Sequence, residues 1–194
     1  LLYSGNMGHG HCFETLLLAA KRLLDGGSPI EIVMTGGGVQ APGIQQRIKD
    51  EQLTNISFKG YVRSRELRDI QSRSHCAFIS LKDNMLGCMS PSKLHASLAM
   101  GLPVVYLGPL GSSVDSAITK FDCGESIRSG DIDHFIERLE ILSKSPNLIK
   151  QYSRNARIAF EKSYCDQSNL SLFDAVLDDS RGRTCDRDAH NRAA

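Results

Sequence analysis

The residues best equipped for chemistry lie in two short stretches. In one, Ser90-Pro91-Ser92-Lys93 leads into an apolar helical pattern carried by Leu94, Leu98 and the pair Ala99/Met100. Pro91 suits the first helical position, Ser90 can cap it, and Gly101 followed by Pro103 stops the helix after about three turns. Such a helix start presents N–H groups without internal partners, the Ser90 and Ser92 hydroxyls and the Lys93 ammonium. An anion would gain about 0.3–1 kcal/mol from the dipole and about 1.5–3 kcal/mol from a charge-assisted hydrogen bond. An ordinary capped helix with a solvated lysine fits the same residues. The other stretch, Gly5-Asn6-Met7-Gly8-His9-Gly10-His11, lies between a short strand at Leu1–Gly5 and a helix predicted over Cys12–Asp25. A strand, a glycine turn and a helix in that order place backbone N–H groups where a phosphate can bind. The spacing is G-x-x-G-x-G, not the dinucleotide G-x-G-x-x-G, and no phosphate-loop lysine follows. A plain turn would use the same glycines.

The elements that must position these groups alternate along the chain. Ile30–Met34 reads as a second strand, ended by Gly36-Gly37-Gly38, and Pro42–Leu53 as a helix with Ile44, Ile48 and Leu53 on its apolar side. Ile56–Gly60 alternates like a strand; Tyr61-Val62-Arg63 then leads to a helix capped by Ser64 with Glu66 early in it. Cys76–Leu81 and Val104–Leu107 are apolar runs suited to central strands. Val114–Phe121, Asp131–Ser143 and Pro146–Lys162 read as helices, Gly124–Ile127 as a small edge strand, and Ser163–Asp178 as containing one more helix. This is an α/β pattern, a Rossmann-like doubly wound parallel sheet with helices on both faces. Such sheets bind ligands at the carboxyl ends of their strands. The Gly5 turn, Gly36–Gly38, Gly60-Tyr61 and Ser90–Lys93 each follow a strand, so all are expected on one rim.

Composition narrows the classes. The 194 residues, 41% apolar and 23% charged, suit one globular domain, taken as residues 1–179. Residues 180–194, rich in arginine and without apolar period, read as a disordered tail. A net charge of +1 gives no electrostatic case for nucleic acid. The six cysteines never come as C-x-x-C and match no zinc spacing, which fits small hydrophobes in a reducing, cytoplasmic compartment. No signal-peptide pattern opens the chain, which starts in mid-strand like an excised domain.

Pro91-Ser92-Lys93-Leu94 and Leu98-Ala99-Met100-Gly101-Leu102-Pro103-Val104 resemble the PSKLYEYLAAGKPVV signature of retaining glycosyltransferases of the family-4 type. Tyr3-Ser4-Gly5-Asn6-Met7-Gly8, His11 and Phe13–Leu17 are similar to the YSGNLGRAHDFETLL opening of its bacterial polysaccharide, colanic-acid-like branch, and Ile56–Val62 to its NVxFxGYV segment. The resemblance covers about residues 1–178. It implies the C-terminal, donor-binding half of a two-domain GT-B enzyme that transfers a sugar with retention to a polysaccharide or lipid-linked acceptor. The donor would be a UDP- or GDP-sugar, with no metal or other cofactor. The acceptor-binding N-terminal domain would be a partner outside this chain, leaving residues 1–194 alone inactive, and the full-length protein would be peripheral at the inner membrane face. Carried over by position, Lys93 and His9 become the catalytic candidates. Gly5, Asn6, Met7, Gly8, Gly37, Tyr61, Val62, Ser90, Pro91 and Ser92 become the donor-binding ones.

The sequence departs from that pattern at defined places. His9 stands where an arginine is expected, so a fixed positive charge is replaced by a group largely neutral at pH 7. Cys88 and Ala96 occupy the positions of two glutamates that face the donor in many family-4 enzymes. These departures keep a second reading open: a non-catalytic nucleotide-sugar module, or one subunit of a split transferase. A sugar-nucleotide epimerase would need acid–base groups, for which His11 and His95 are the candidates. A nicotinamide dehydrogenase is disfavoured by the glycine spacing and by Thr35, where an acidic residue would end the second strand.

Overall fold

A computed structural model describes residues 1–88 and 92–165 of the chain. Ser90, Pro91, the stretch from 166 that was to complete a last helix, and the predicted tail 180–194 lie outside the described residues. Six parallel strands form one sheet in the order β3-β2-β1-β4-β5-β6. They are β1 (Leu2–Ser4), β2 (Ile32–Thr35), β3 (Ile56–Gly60), β4 (Ala77–Ser80), β5 (Val104–Leu107) and β6 (Gly124–Ile127). The helices are α1 (Glu14–Asp25), α2 (Ala41–Asp50), α3 (Ser64–Arg73), α4 (Lys93–Ala99), α5 (Ser113–Phe121), α6 (Ile132–Lys144) and α7 (Pro146–Ala159). The doubly wound architecture is the one the alternation predicts.

Side chains alternate across a strand, so every second residue goes to each layer. Tyr3, Ile32, Met34, Phe78, Val105 and Leu107 pack with Leu16, Leu17 and Leu23 of α1, Ile44 of α2 and Phe135, Leu139 and Leu142 of α6. Their neighbours Ile79, Val104 and Tyr106 pack the other way, onto Leu94 and Leu98 of α4, Val114 and Ile118 of α5 and Ala156 and Ala159 of α7. Both faces of β4 and β5 are therefore covered, and each of their residues is buried. This is why those strands read as unbroken apolar runs. No described helix is long and apolar enough to cross a membrane.

Several boundaries differ from expectation. The α4 helix has seven residues, shorter than the predicted three turns, because its regular hydrogen bonding starts only at Lys93. Its end is as predicted: Gly101 takes a φ of +65°, its N–H donates to Leu98 O, and Leu102 N–H donates to Ser97 O. That pair of bonds closes the last turn. Ser64 does not cap α3; Arg63 takes the flanking, extended position and Ser64 is already helical. The α7 helix passes into a π-type turn at Phe160–Tyr164, and a short 3₁₀ turn at Asp83–Met85 had no sequence signal. Asp131 caps α6 by accepting from His134 N–H.

The rim at the carboxyl ends of β1, β2 and β3 is closed by backbone contact. Gly5 N–H donates to Thr35 O at 3.0 Å and Gly36 N–H to Gly60 O at 2.7 Å. Gly36 has a φ of +110°, and a Cβ there would stand 2.1 Å from the Gly5 carbonyl oxygen. Gly36→Ala is therefore expected to cost about 2–4 kcal/mol through strain and overpacking. Urea unfolding with an unchanged m-value and a lower midpoint is the measurement that checks it.

Candidate functional site

The chain order reverses between β1 and β4: β1 leads outward to β2 and β3, β4 to β5 and β6. At such a switch point the loops after the two central strands diverge and leave a crevice. The turn after β1 fills one side, and the Lys93 end of α4 faces it.

Lys93 reaches across this crevice. Its Nζ lies 2.9 Å from His11 Nε2, and His11 Nδ1 lies 2.6 Å from the carbonyl oxygen of Ser80 at the end of β4. A carbonyl only accepts, so Nδ1 carries the proton and Nε2 offers its lone pair to the Lys93 ammonium. The ammonium also stands 5.2 Å from the centroid of the Tyr3 ring, within cation–π range. Gly5 makes the approach possible: its φ is +137° and a Cβ there would sit 2.8 Å from Lys93 Cε. The turn is pinned by Gln40, whose Nε2 donates to the carbonyls of Gly8 and His11 at 2.5 and 3.0 Å. Tyr3 OH donates to Asn6 O at 2.6 Å, and Cys12 N–H donates to Ser80 Oγ at 3.2 Å.

The electrostatics follow from burial. Lys93 has no carboxylate within salt-bridge distance among the described residues. Desolvation brings its pKa down to about 8. His11 is 3% exposed; burial pushes its pKa below the ordinary value, the Ser80 bond pulls it back, and the Lys93 charge lowers it further. At pH 7 the pair is thus a neutral imidazole and an ammonium with no counter-ion from the described residues. The amides of Gly8, His9 and Gly10 beside them have no protein acceptor among the described residues.

The predicted residues fare unequally. Gly5, Asn6, Gly8, Gly37 and Lys93 are brought to one rim: Gly37 backs the Tyr61 ring, and Asn6 Oδ1 lies over Gly38. Tyr61 is 82% exposed above that glycine, and Val62 is half-buried beyond it. Met7 requires correction as a donor-facing residue. Its side chain is fully buried and its N–H donates to Gly37 O at 2.6 Å, so it anchors the turn from inside. His9 is exposed, and the histidine that meets Lys93 is His11. Ser92 is exposed and does not cap α4 with its side chain; Ser90 and Pro91 lie outside the described residues. His95 sets its ring edge-on to Tyr164 at 5.2 Å. Cys88 and Ala96 are both exposed. Gln40 and Ser80 were not among the sequence candidates, and Tyr3 entered only within the resembling opening stretch, since a residue's own neighbours carry no sign of its distant partner.

A cleft of about 540 Å³ opens at the other end of the sheet, among Leu1, Val33, Cys76, Leu139, Leu142 and Ile149. It belongs to the amino ends of the strands and holds no part of the Lys93 cluster. Among the described residues no three His, Cys, Asp or Glu side chains are grouped to hold a metal ion.

The sequence matches the family described as glycosyl transferases group 1 over residues 1–159. The chain belongs to that family. No curated protein matches it in sequence. Among solved structures, this group 1 domain is similar to a mutant TarM from S. aureus in complex with fondaparinux, alpha-GlcNAc-glycerol and UDP. That likeness has a TM-score of 0.72 at 14% identity, over 91% of this chain and 35% of the other. Sucrose-phosphate synthase from Thermosynechococcus elongatus gives 0.75 at 13% identity, over 93% and 45%. HepE from Anabaena, in complex with UDP, gives 0.70 at 12%, over 91% and 48%. At such identity the likeness is one of fold, the Rossmann-like fold of GT-B transferases. The group 1 chain spans about a third to a half of the length of these proteins.

The lowered pKa of Lys93 has a signed consequence. Its ammonium is disfavoured in the folded chain, so between about pH 8 and its unfolded value near 10.4 the unfolded state binds more protons and folding gains as pH rises. Lys93→Met removes that contribution. The variant is expected to be the more stable at pH 7, with its advantage over wild type shrinking as pH climbs through that window. Paired urea titrations at pH 7, 8, 9 and 10 measure the difference.

Proposed function

We propose that this chain is the donor-binding half of a retaining glycosyltransferase of the family-4 type, in the colanic-acid-like branch of bacterial polysaccharide synthesis. The observation that carries the reading is the Lys93 ammonium, partly buried at the sheet's switch point with no carboxylate among the described residues to neutralise it. A desolvated cation without a counter-ion is costly unless an anion from outside completes it. The nucleotide-sugar diphosphate is the anion of the right class, with the amides of Gly8 and His9, which have no acceptor among the described residues, beside it.

In this mechanism negative charge grows on the leaving diphosphate as the sugar–oxygen bond breaks. Lys93 stabilises that charge from a fixed position, which is electrostatic catalysis without a metal. The Gly37–Tyr61 corner, farther along the rim, receives the nucleoside. The acceptor, a polysaccharide or lipid-linked sugar, is held by an N-terminal domain that the 194 residues do not include, so the chain alone binds nucleotide and transfers no sugar. The complete enzyme works in the cytoplasm, against the inner membrane face. A second reading, a nucleotide-sugar module without catalysis, draws on Cys88 and Ala96, which give the rim no carboxylate at the two family positions. Sugar transfer by the complete protein would exclude that second reading.

Calorimetric titration of the chain with UDP and with GDP tests the proposal. Lys93→Met is expected to weaken binding about 10- to 100-fold, the equivalent of one charge-assisted hydrogen bond. Wild-type binding is expected to fall as pH rises through about 8, where Lys93 loses its proton, while the variant shows no such fall. Equal affinities would remove Lys93 from the site.

A further inference from the structure

Resting on the reading of this rim as a phosphate site, we propose that His11 is its positioning residue: a neutral imidazole that holds the Lys93 ammonium over the turn after β1 without cancelling its charge. Three contacts carry this. His11 Nδ1–H donates to Ser80 O at 2.6 Å and so leaves Nε2 as an acceptor. Nε2 meets Lys93 Nζ at 2.9 Å. The lysine stem passes Gly5, where no Cβ stands in its way, and ends over the Tyr3 ring.

The choice of acceptor matters. A lysine has four rotatable methylenes, and an unheld side chain carries rotamer entropy that binding must offset. An aspartate or glutamate at position 11 would hold the ammonium too, but would neutralise it and compete with the incoming anion. A neutral ring nitrogen aims the charge and leaves it whole. A buried histidine serving only the core would need one partner, and Ser80 already supplies it; the second nitrogen is given to a cation. The groups facing the pair bear this out. Tyr3 comes from β1, with its phenol turned to Asn6 O and its pKa pushed up by burial. Ser80 comes from β4, and Cys12 N–H occupies its hydroxyl. Asp83, in the segment whose backbone joins Gly10, forms no ion pair with Lys93 among the described residues; Lys82 beside it is a second cation. His9, on the same turn, is exposed.

The test compares wild type with His11→Gln, whose side-chain oxygen can still accept from Lys93, and His11→Leu, which cannot. The first readout is the titration of the Lys93 side chain, followed by NMR with lysine labelled at Cε and assigned through Lys93→Arg. Wild type is expected to titrate near 8, with a second inflection below 6.5 as His11 protonates. His11→Gln is expected to keep the main step and lose the second. His11→Leu is expected to lower the main step by about one unit, because the ammonium loses its acceptor. The second readout is binding of inorganic pyrophosphate to the whole chain. His11→Leu should lose about tenfold and His11→Gln about twofold or less. A Lys93 titration in His11→Leu that matches wild type overturns the proposal, as does a loss in His11→Gln as large as in His11→Leu. Should wild type not bind pyrophosphate at all, the phosphate reading fails, and the NMR titration still decides whether His11 holds Lys93.

Discussion

The structure turns on one cation that the described part of the protein does not neutralise. Lys93 is drawn out of water at the point where the sheet's winding reverses, and its nearest polar partner is an uncharged ring nitrogen. Everything local serves that placement. Ser80 fixes the imidazole's tautomer, Gly5 omits the side chain that would block the lysine stem, and Tyr3 lays an aromatic face beneath the charge. A folded chain keeps such an arrangement at a cost in stability, which is the usual mark of a group held for a ligand rather than for the fold.

The rim can hold the charge still because what lies under it is tightly packed. Tyr3, whose hydroxyl ties back to Asn6 O, is fully buried and sets its ring against Phe13 at 4.9 Å. Met7, one residue on, is also fully buried and hydrogen-bonded to the neighbouring turn. The turn after β1 is therefore pinned at both sides, by Met7 within and by Gln40 above. The cleft at the amino ends of the strands holds no part of this construction. Its lining combines apolar side chains with Glu31, Arg73 and Lys150.

This chain departs from the pattern it resembles at three exposed positions. The arginine position is His9 and the two glutamate positions are Cys88 and Ala96, all exposed. Lys93 is placed by an uncharged ring nitrogen, by the bare backbone of Gly5 and by the Tyr3 ring. A site with fewer fixed charges depends more on the geometry of each, and the contacts around Lys93 supply that geometry from three separate elements.

Local patterns were enough for the fold. Unbroken apolar runs marked β4 and β5, glycine turns marked the strand ends, and i, i+4 spacing marked the helices, because each signal is written within a few residues. The family match, and the convergence of the Gly5, Gly36–Gly38, Gly60 and Lys93 turns on one rim, were legible for the same reason: parallel strands send all their carboxyl ends one way. The tertiary structure alone decided which histidine meets the lysine. His9 and His11 sit in the same glycine-rich stretch, and no local spacing separates their roles. His11 meets a residue 82 positions away and takes its tautomer from one 69 positions away, whereas Met7, read as rim, turned inward. Contacts at that range depend on strand order and on which side of the turn faces the core, and neither is encoded in the neighbours of the residue itself.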